Sequence, residues 1–263
     1  YNNLLYLNFT NNKKTLKMSI KEIDKKIEKM TCVLCGNELY KLSKKIEVRC
    51  DFCGKIGFAS HQCSSSHYIC NECFSITPIE FVKMACLKYK GIDPNALAVE
   101  IMNTPTIRMH GPEHHYILPA VLLTCIYNLK GRTDDLKEKL DSLAVRTSCE
   151  APDHCEYNIN NCGAAIGTGI FLSTFLDRTT ENEDEWSLTN QLVSECIKKI
   201  AEIGGPRCCK RDTYISIQTT IEFLKNKFAI ELPLSEAKCT FSLRNKSCKH
   251  ENCIFYNIGF SVG

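Results

Sequence analysis

A chain of 263 residues with 44% hydrophobic content can bury a sizeable core, as one large domain or a small one beside a medium one. A formal charge of +3 is too weak to mark a nucleic-acid or membrane surface, and no apolar run approaches the ~18–20 residues of a membrane-spanning helix. The outlying number is 18 cysteines without a secretory leader, which points to metal or catalytic thiols in a cytoplasmic protein rather than to a disulfide scaffold.

Residues 1–17 are Asn/Lys-rich, begin with Tyr1 rather than Met, and are set aside as leader or upstream sequence. A helix is expected over 19–30, with Ser19 and Glu22 spaced as a capping box. Cys32-Val-Leu-Cys35-Gly and Cys50-Asp-Phe-Cys53-Gly are CxxC knuckles separated by 14 residues, with Glu38–Leu42 and Lys45–Arg49 expected as the arms of a hairpin between them. Cys63, His67, Cys70 and Cys73 follow at metal-ligand spacing, while His61 reads as a spare polar residue. Four thiolates, or three and an imidazole, suit tetrahedral zinc, so residues 18–76 are expected to form a zinc module with two sites. Its layout is either sequential, as in a zinc ribbon, or cross-braced, joining Cys32 and Cys35 to Cys63 and His67. Closed four-ligand sites are structural. Lys41, Lys44, Lys45, Arg49 and Lys55 have little aromatic interleaving, which leaves a nucleic-acid reader the weaker reading.

From residue 77 to 263 the period is helical, so the fold class is mainly α, a helical body preceded by the small module. Helices are expected over Pro78–Lys90, from Asp93-Pro94 to Met102, from Pro112 to about Asn128, and from Thr133, as its cap, to about Val145. Ala164–Leu176 is apolar all round and therefore central. Trp186–Ile203 and Pro206–Phe228 complete six or seven helices, and 229–263 reads as loop with a short hairpin. Cys86, Cys125 and Cys196 fall on apolar helical stretches and read as core.

Three helix entrances carry the chemistry. His110-Gly-Pro-Glu113-His114-His115 offers imidazoles for proton transfer, with His114 as the candidate. Cys149, Cys155 and Cys162 are too loosely spaced for a zinc knuckle and suit an iron–sulfur cluster, of the 4Fe-4S type, held by an irregular loop with one corner open. His154 is a second candidate acid or base. The glycines of Cys162-Gly-Ala-Ala-Ile-Gly-Thr-Gly would let backbone approach the bound group. At Gly204-Gly-Pro-Arg207-Cys208-Cys209-Lys210-Arg211, the helix dipole and the cations are expected to depress a thiol pKa. Cys208 or Cys209 would then be a fourth ligand or sulfur carrier, and Arg207 and Arg211 would bind an anion. Cys239, Cys248 and Cys253, with His250 among them, form a last group that supplies the same centre or holds its own metal.

On these three motifs the chain resembles an uncharacterised prokaryotic domain family of anaerobic bacteria and methanogenic archaea, over about Cys32 to Cys253. Some members of that family stand beside methyltransferase domains, a motif this chain lacks. The resemblance implies an anaerobic setting suited to iron–sulfur chemistry and no established activity. The expected function is a metal-dependent enzyme acting on a small anionic substrate by Lewis-acid elimination, desulfuration or sulfur transfer. The rival is a non-enzymatic metal-binding or redox-sensing protein that acts on nucleic acid or a protein partner.

Overall fold

The computed structural model describes residues 32, 37–51, 53–104, 106–150, 161–177 and 183–257. The helix expected over 19–30, and Cys35, His154 and Cys155, lie outside them.

Strands β1 (Tyr40–Arg49) and β2 (Ile56–Gln62) pair antiparallel, from Arg49 opposite Ile56 to Tyr40 opposite Gln62. The sequence reading split β1 into two hairpin arms. Instead it runs unbroken, with a register irregularity between Lys41 and Ile46, and the hairpin closes across the second knuckle. The knuckle is itself the turn: Gly54 N–H donates to Cys50 O at 2.9 Å, and Gly54 adopts φ +75°, which favours glycine. A short helix α1 (Asn71–Ser75) follows.

Seven further helices form the body among the described residues: α2 (Pro78–Lys88), α3 (Pro94–Met102), α4 (Glu113–Leu129), α5 (Leu136–Glu150), α6 (Gly163–Leu176), α7 (Glu183–Ile203) and α8 (Cys209–Phe228). Their starts follow local chemistry. Thr77 and Glu80 form a reciprocal capping box ahead of Pro78, and Asp93 accepts from the N–H groups of Asn95 and Ala96 at 2.9 and 3.2 Å. Helix α5 begins at Leu136, three residues after the expected Thr133 cap, and its first turn closes on the Asp135 carbonyl.

The core lies between α4 and α6, each buried along most of its length. Pro119 within α4 has no N–H to give the His115 carbonyl, and against this carbonyl α6 packs with Gly167. A Cβ on Gly167 would lie 2.9 Å from His115 O, and one on Gly163 would lie 2.1 Å from the His115 ring. Gly163 and Gly167 of α6 therefore serve a close helix crossing, a role beside the backbone approach to a bound group that the sequence suggested. Tyr116 on α4 donates to Leu140 O on α5 at 3.0 Å, and α7 and α8 cover the remaining side of α6.

Beyond α8 the described residues, to 257, are irregular, with 3-10 turns at Ser242–Arg244 and His250–Asn252 and no hairpin of the kind expected among them. It is fastened by polar contacts. The Ser235 carbonyl accepts from Asn95 Nδ2 at 2.7 Å, Thr240 donates to Asn103 Oδ1 at 3.0 Å, and Lys249 Nζ caps α7 on Ile203 O at 2.7 Å. This segment crosses the N-terminus of α8, which fixes the site below.

Candidate functional site

The eight expected module ligands, less Cys35, fall into two interleaved groups. Cys50, Cys53, Cys70 and Cys73 form one, and Cys32, Cys63 and His67 the other, each with its ligand atoms within 4.8 Å of one another. Tetrahedral zinc with Zn–S near 2.3 Å requires S···S separations of about 3.8 Å, and with an imidazole ligand S···N of about 3.6 Å. Cys53 Sγ and Cys70 Sγ stand 3.7 Å apart, and His67 Nδ1 is 3.6 Å from the sulfurs of both Cys32 and Cys63. The residues fit such an ion. Backbone donors support the thiols: Cys70 N–H reaches Cys50 Sγ at 3.3 Å and Cys73 N–H reaches Cys70 Sγ at 3.5 Å. The order is that of the cross-braced alternative. His61 joins neither group.

The second concentration lies at the start of α8. Cys208 is the N-cap residue and Cys209 the first helical one, so only Cys209 is inside the first turn. Lys210, Arg211 and Asp212 follow, all buried. Arg211 Nε donates to Asp212 Oδ1 at 3.0 Å and its Nη2 to Pro206 O at 3.0 Å, so the guanidinium expected to bind an anion already has two acceptors. Arg207 is exposed. Lys210 Nζ donates to Met102 O at 3.2 Å and lies 4.9 Å from the centre of the Phe241 ring. Burial, seconded by Arg244, pulls its pKa down to about 7.

Glu113, at the start of α4, accepts Arg108 N–H at 2.7 Å and pairs with the Arg108 guanidinium at 2.9 Å. His114 is 1% exposed, and its Nδ1 donates to Gly111 O at 3.0 Å, which leaves Nε2 the proton-accepting nitrogen, buried without a partner. Burial first, then the nearby Lys210, holds its pKa well below the usual value. His110 precedes the helix; its Nε2 lies 3.1 Å from Asn245 Oδ1, while Asn245 Nδ2 donates to Cys208 Sγ at 3.7 Å. His110, Asn245 and Cys208 thus form one polar chain.

At Cys208 the thiol ionisation runs opposite to the sequence expectation. Burial pushes Cys208 up to about 11, outweighing the Arg211 backbone N–H and guanidinium, which pull the other way. Cys162, the N-cap residue of α6, is pushed up to about 12 by burial and by Asp212, to whose Oδ2 its Sγ lies at 3.8 Å. Cys149 is exposed at the end of α5. The three-cysteine centre is therefore represented here by an exposed Cys149 and by a Cys162 that faces a carboxylate. Cys239, Cys248 and Cys253 instead share a pocket with Cys208. Cys86, Cys125 and Cys196 are fully buried in the core, as expected.

Sequence reasoning missed Asn245, Lys210 as a buried cation and Asp212. Only Asp212 carried a local signal, an acidic residue in the first turn of a helix.

These features define a helical protein with a small cysteine-rich module and thiol groups able to hold metal. No helix among the described residues is long and apolar enough to cross a membrane. The chain belongs to a family described as of unknown function, DUF5714, whose model matches residues 82–256. That match takes in the helical body and the C-terminal segment; the N-terminal module precedes it, whereas the resemblance noted in the sequence began at Cys32. No curated protein and no solved structure matches the chain.

Proposed function

We propose that the protein is a metal-dependent enzyme of the cytoplasm, with a structural two-zinc module over residues 18–76 and iron–sulfur chemistry in the helical body over 77–263. Cys35 is assigned as the fourth ligand of the Cys32, Cys63 and His67 group. The carrying observation is the concentration of buried Cys209, Lys210, Arg211, Asp212 and His114 where α4, α6 and α8 begin. Burying that many ionisable groups costs several kcal/mol, which a helix entrance alone does not require. The reaction class that suits it is elimination, desulfuration or sulfur transfer on a small anion. Lys210 and Arg207 favour negative charge, Cys208 or Cys209 acts as ligand or sulfur carrier, and His114 Nε2 or His154 moves a proton. Metal analysis of protein purified without oxygen tests the reading: two zinc ions per chain, together with iron and acid-labile sulfide, are expected. A colourless protein with zinc alone refutes it.

One observation favours a second reading, a non-enzymatic protein acting through its module. Tyr40, Ile56, Phe58 and Phe74 there are each at least 50% exposed, and an apolar face of that kind suits a protein partner or the bases of a single-stranded nucleic acid.

A further inference from the structure

Among the described residues of the body, the widest gathering of thiols lies at the start of α8. Cys208, at the start of α8, lines one pocket with Cys239, Cys248 and Cys253 from the C-terminal segment. Unlike the module groups, no three of these sulfurs lie within 4.8 Å of one another. That spacing is too wide for one zinc ion, whose thiolates stand about 3.8 Å apart. It suits a cluster, in which each cysteine reaches a different iron.

Two further observations point to a ligand. First, backbone N–H groups already address these sulfurs as they do in the zinc module: Phe241 N–H to Cys239 Sγ at 3.4 Å and His250 N–H to Cys248 Sγ at 3.4 Å. Asn245 Nδ2 adds a donor to Cys208. Second, Tyr214 Oη and Ser242 Oγ line the same pocket, are 1% and 4% exposed, and have no hydrogen-bond partner. Leaving two buried hydroxyls unpaired costs about 1–3 kcal/mol each, a cost that a bound group with acceptor atoms removes. Cluster sulfides are such acceptors. A cluster held by four thiolates is also anionic, and the N-terminus of α8 and Lys249 supply positive potential at the pocket.

We propose that Cys208, Cys239, Cys248 and Cys253 together hold an iron–sulfur cluster, with Tyr214 and Ser242 donating to its sulfides. Each thiol releases a proton on ligation. The inference rests on the iron–sulfur reading above and moves the centre away from Cys149, Cys155 and Cys162.

Zinc, iron and acid-labile sulfide are measured on the anaerobically purified full chain, before and after reconstitution with ferrous iron and sulfide. Near-complete loss of iron is expected in Cys239→Ala and Cys253→Ala, with zinc and helical circular dichroism unchanged. Cys149→Ala and Cys162→Ala are expected to keep both metals. Iron retained in the first pair, or lost in the second, overturns the site while the iron–sulfur reading stands. Iron absent from the wild type after reconstitution overturns both. A third zinc ion lost in the first pair overturns the cluster. If the first pair misfolds, alkylation of the wild type decides. All four cysteines should be protected when iron is bound and labelled after it is stripped; equal labelling in both states overturns the proposal.

Discussion

Replacing Gly167 by alanine tests whether the glycines of α6 serve helix packing or a bound group. The new Cβ would stand 2.9 Å from the His115 carbonyl oxygen, 3.1 Å from Pro119 Cδ and 3.5 Å from Leu118 Cδ2. The first obstacle is backbone and cannot rotate away. Overpacking of this kind costs about 1–3 kcal/mol, set against a gain of about 1 kcal/mol for alanine over glycine within a helix. With a rigid obstacle the cost lies at its upper end, so a net loss of about 1–2 kcal/mol is expected. For a body of this size that lowers Tm by roughly 2–8 °C. Gly169→Ala is the control, because its Cβ meets only the Val193 and Thr189 methyl groups, at 2.8 and 3.3 Å. Those side chains can shift, and the loss should be smaller. Thermal unfolding and metal content measured side by side decide the matter. An unchanged or higher Tm for Gly167→Ala refutes the packing account, as does loss of metal at an unchanged Tm.

In the module, Cys50→Ser or Cys70→Ser should remove one zinc ion per chain and make the hairpin protease-sensitive, since one lost thiolate opens a closed site; full zinc content would refute the grouping. Asp212→Ala strips the buried Arg211 of its carboxylate partner and leaves it the Pro206 carbonyl, both side chains of the pair being 4% exposed, and should cost about 3–5 kcal/mol in denaturant unfolding; a loss below about 1 kcal/mol would mean that the ion pair contributes little. The Thr77 hydroxyl, then the Thr77 backbone, holds Glu80 below the usual carboxylate range. The support it lends is complete above that range and is lost as pH falls through the lowered value. The Tm gap between wild type and Thr77→Val should therefore narrow in acid, and a constant gap would refute the ionic part of the cap. Cys86 is fully buried, and burial pushes its thiol up to about 12. In metal-free native protein at neutral pH, alkylation should reach the exposed Cys53 and Cys149 well before it.

Local chemistry made most of the fold legible. The capping box at Thr77, Asp93 before Pro94, Gly131 after α4 and the all-round apolarity of α6 each act within a few residues, and the helices fall where they point. Helix α5 started late because Thr133 offered a cap in sequence while the Asp135 carbonyl closes the first turn. At the candidate site the sequence named Cys208, Cys209, His114 and the C-terminal cysteines but left open whether the last group joins the same centre. That Cys208 shares a pocket with Cys239 depends on the path of the chain after Phe228, which follows no period, and that Cys162 faces Asp212 depends on how α6 packs against α8. At Cys208 the thiol pKa expectation failed for a related reason. Dipole and charge can be read along a sequence, but desolvation is a tertiary property, and here it is the largest effect.

The interleaving of the two module groups makes the module indivisible. Cys32 belongs with Cys63 and His67, so the chain between them, which carries Cys50 and Cys53, is enclosed by one binding group while it feeds the other. A shortened version beginning after Cys35 would keep the four-cysteine group whole yet leave Cys63 and His67 without Cys32. Such a remnant, a thiol beside an imidazole, offers two of the four ligands that a tetrahedral ion needs. Grafts and truncations of this protein therefore need the segment from residue 32 to 73 intact, or none of it.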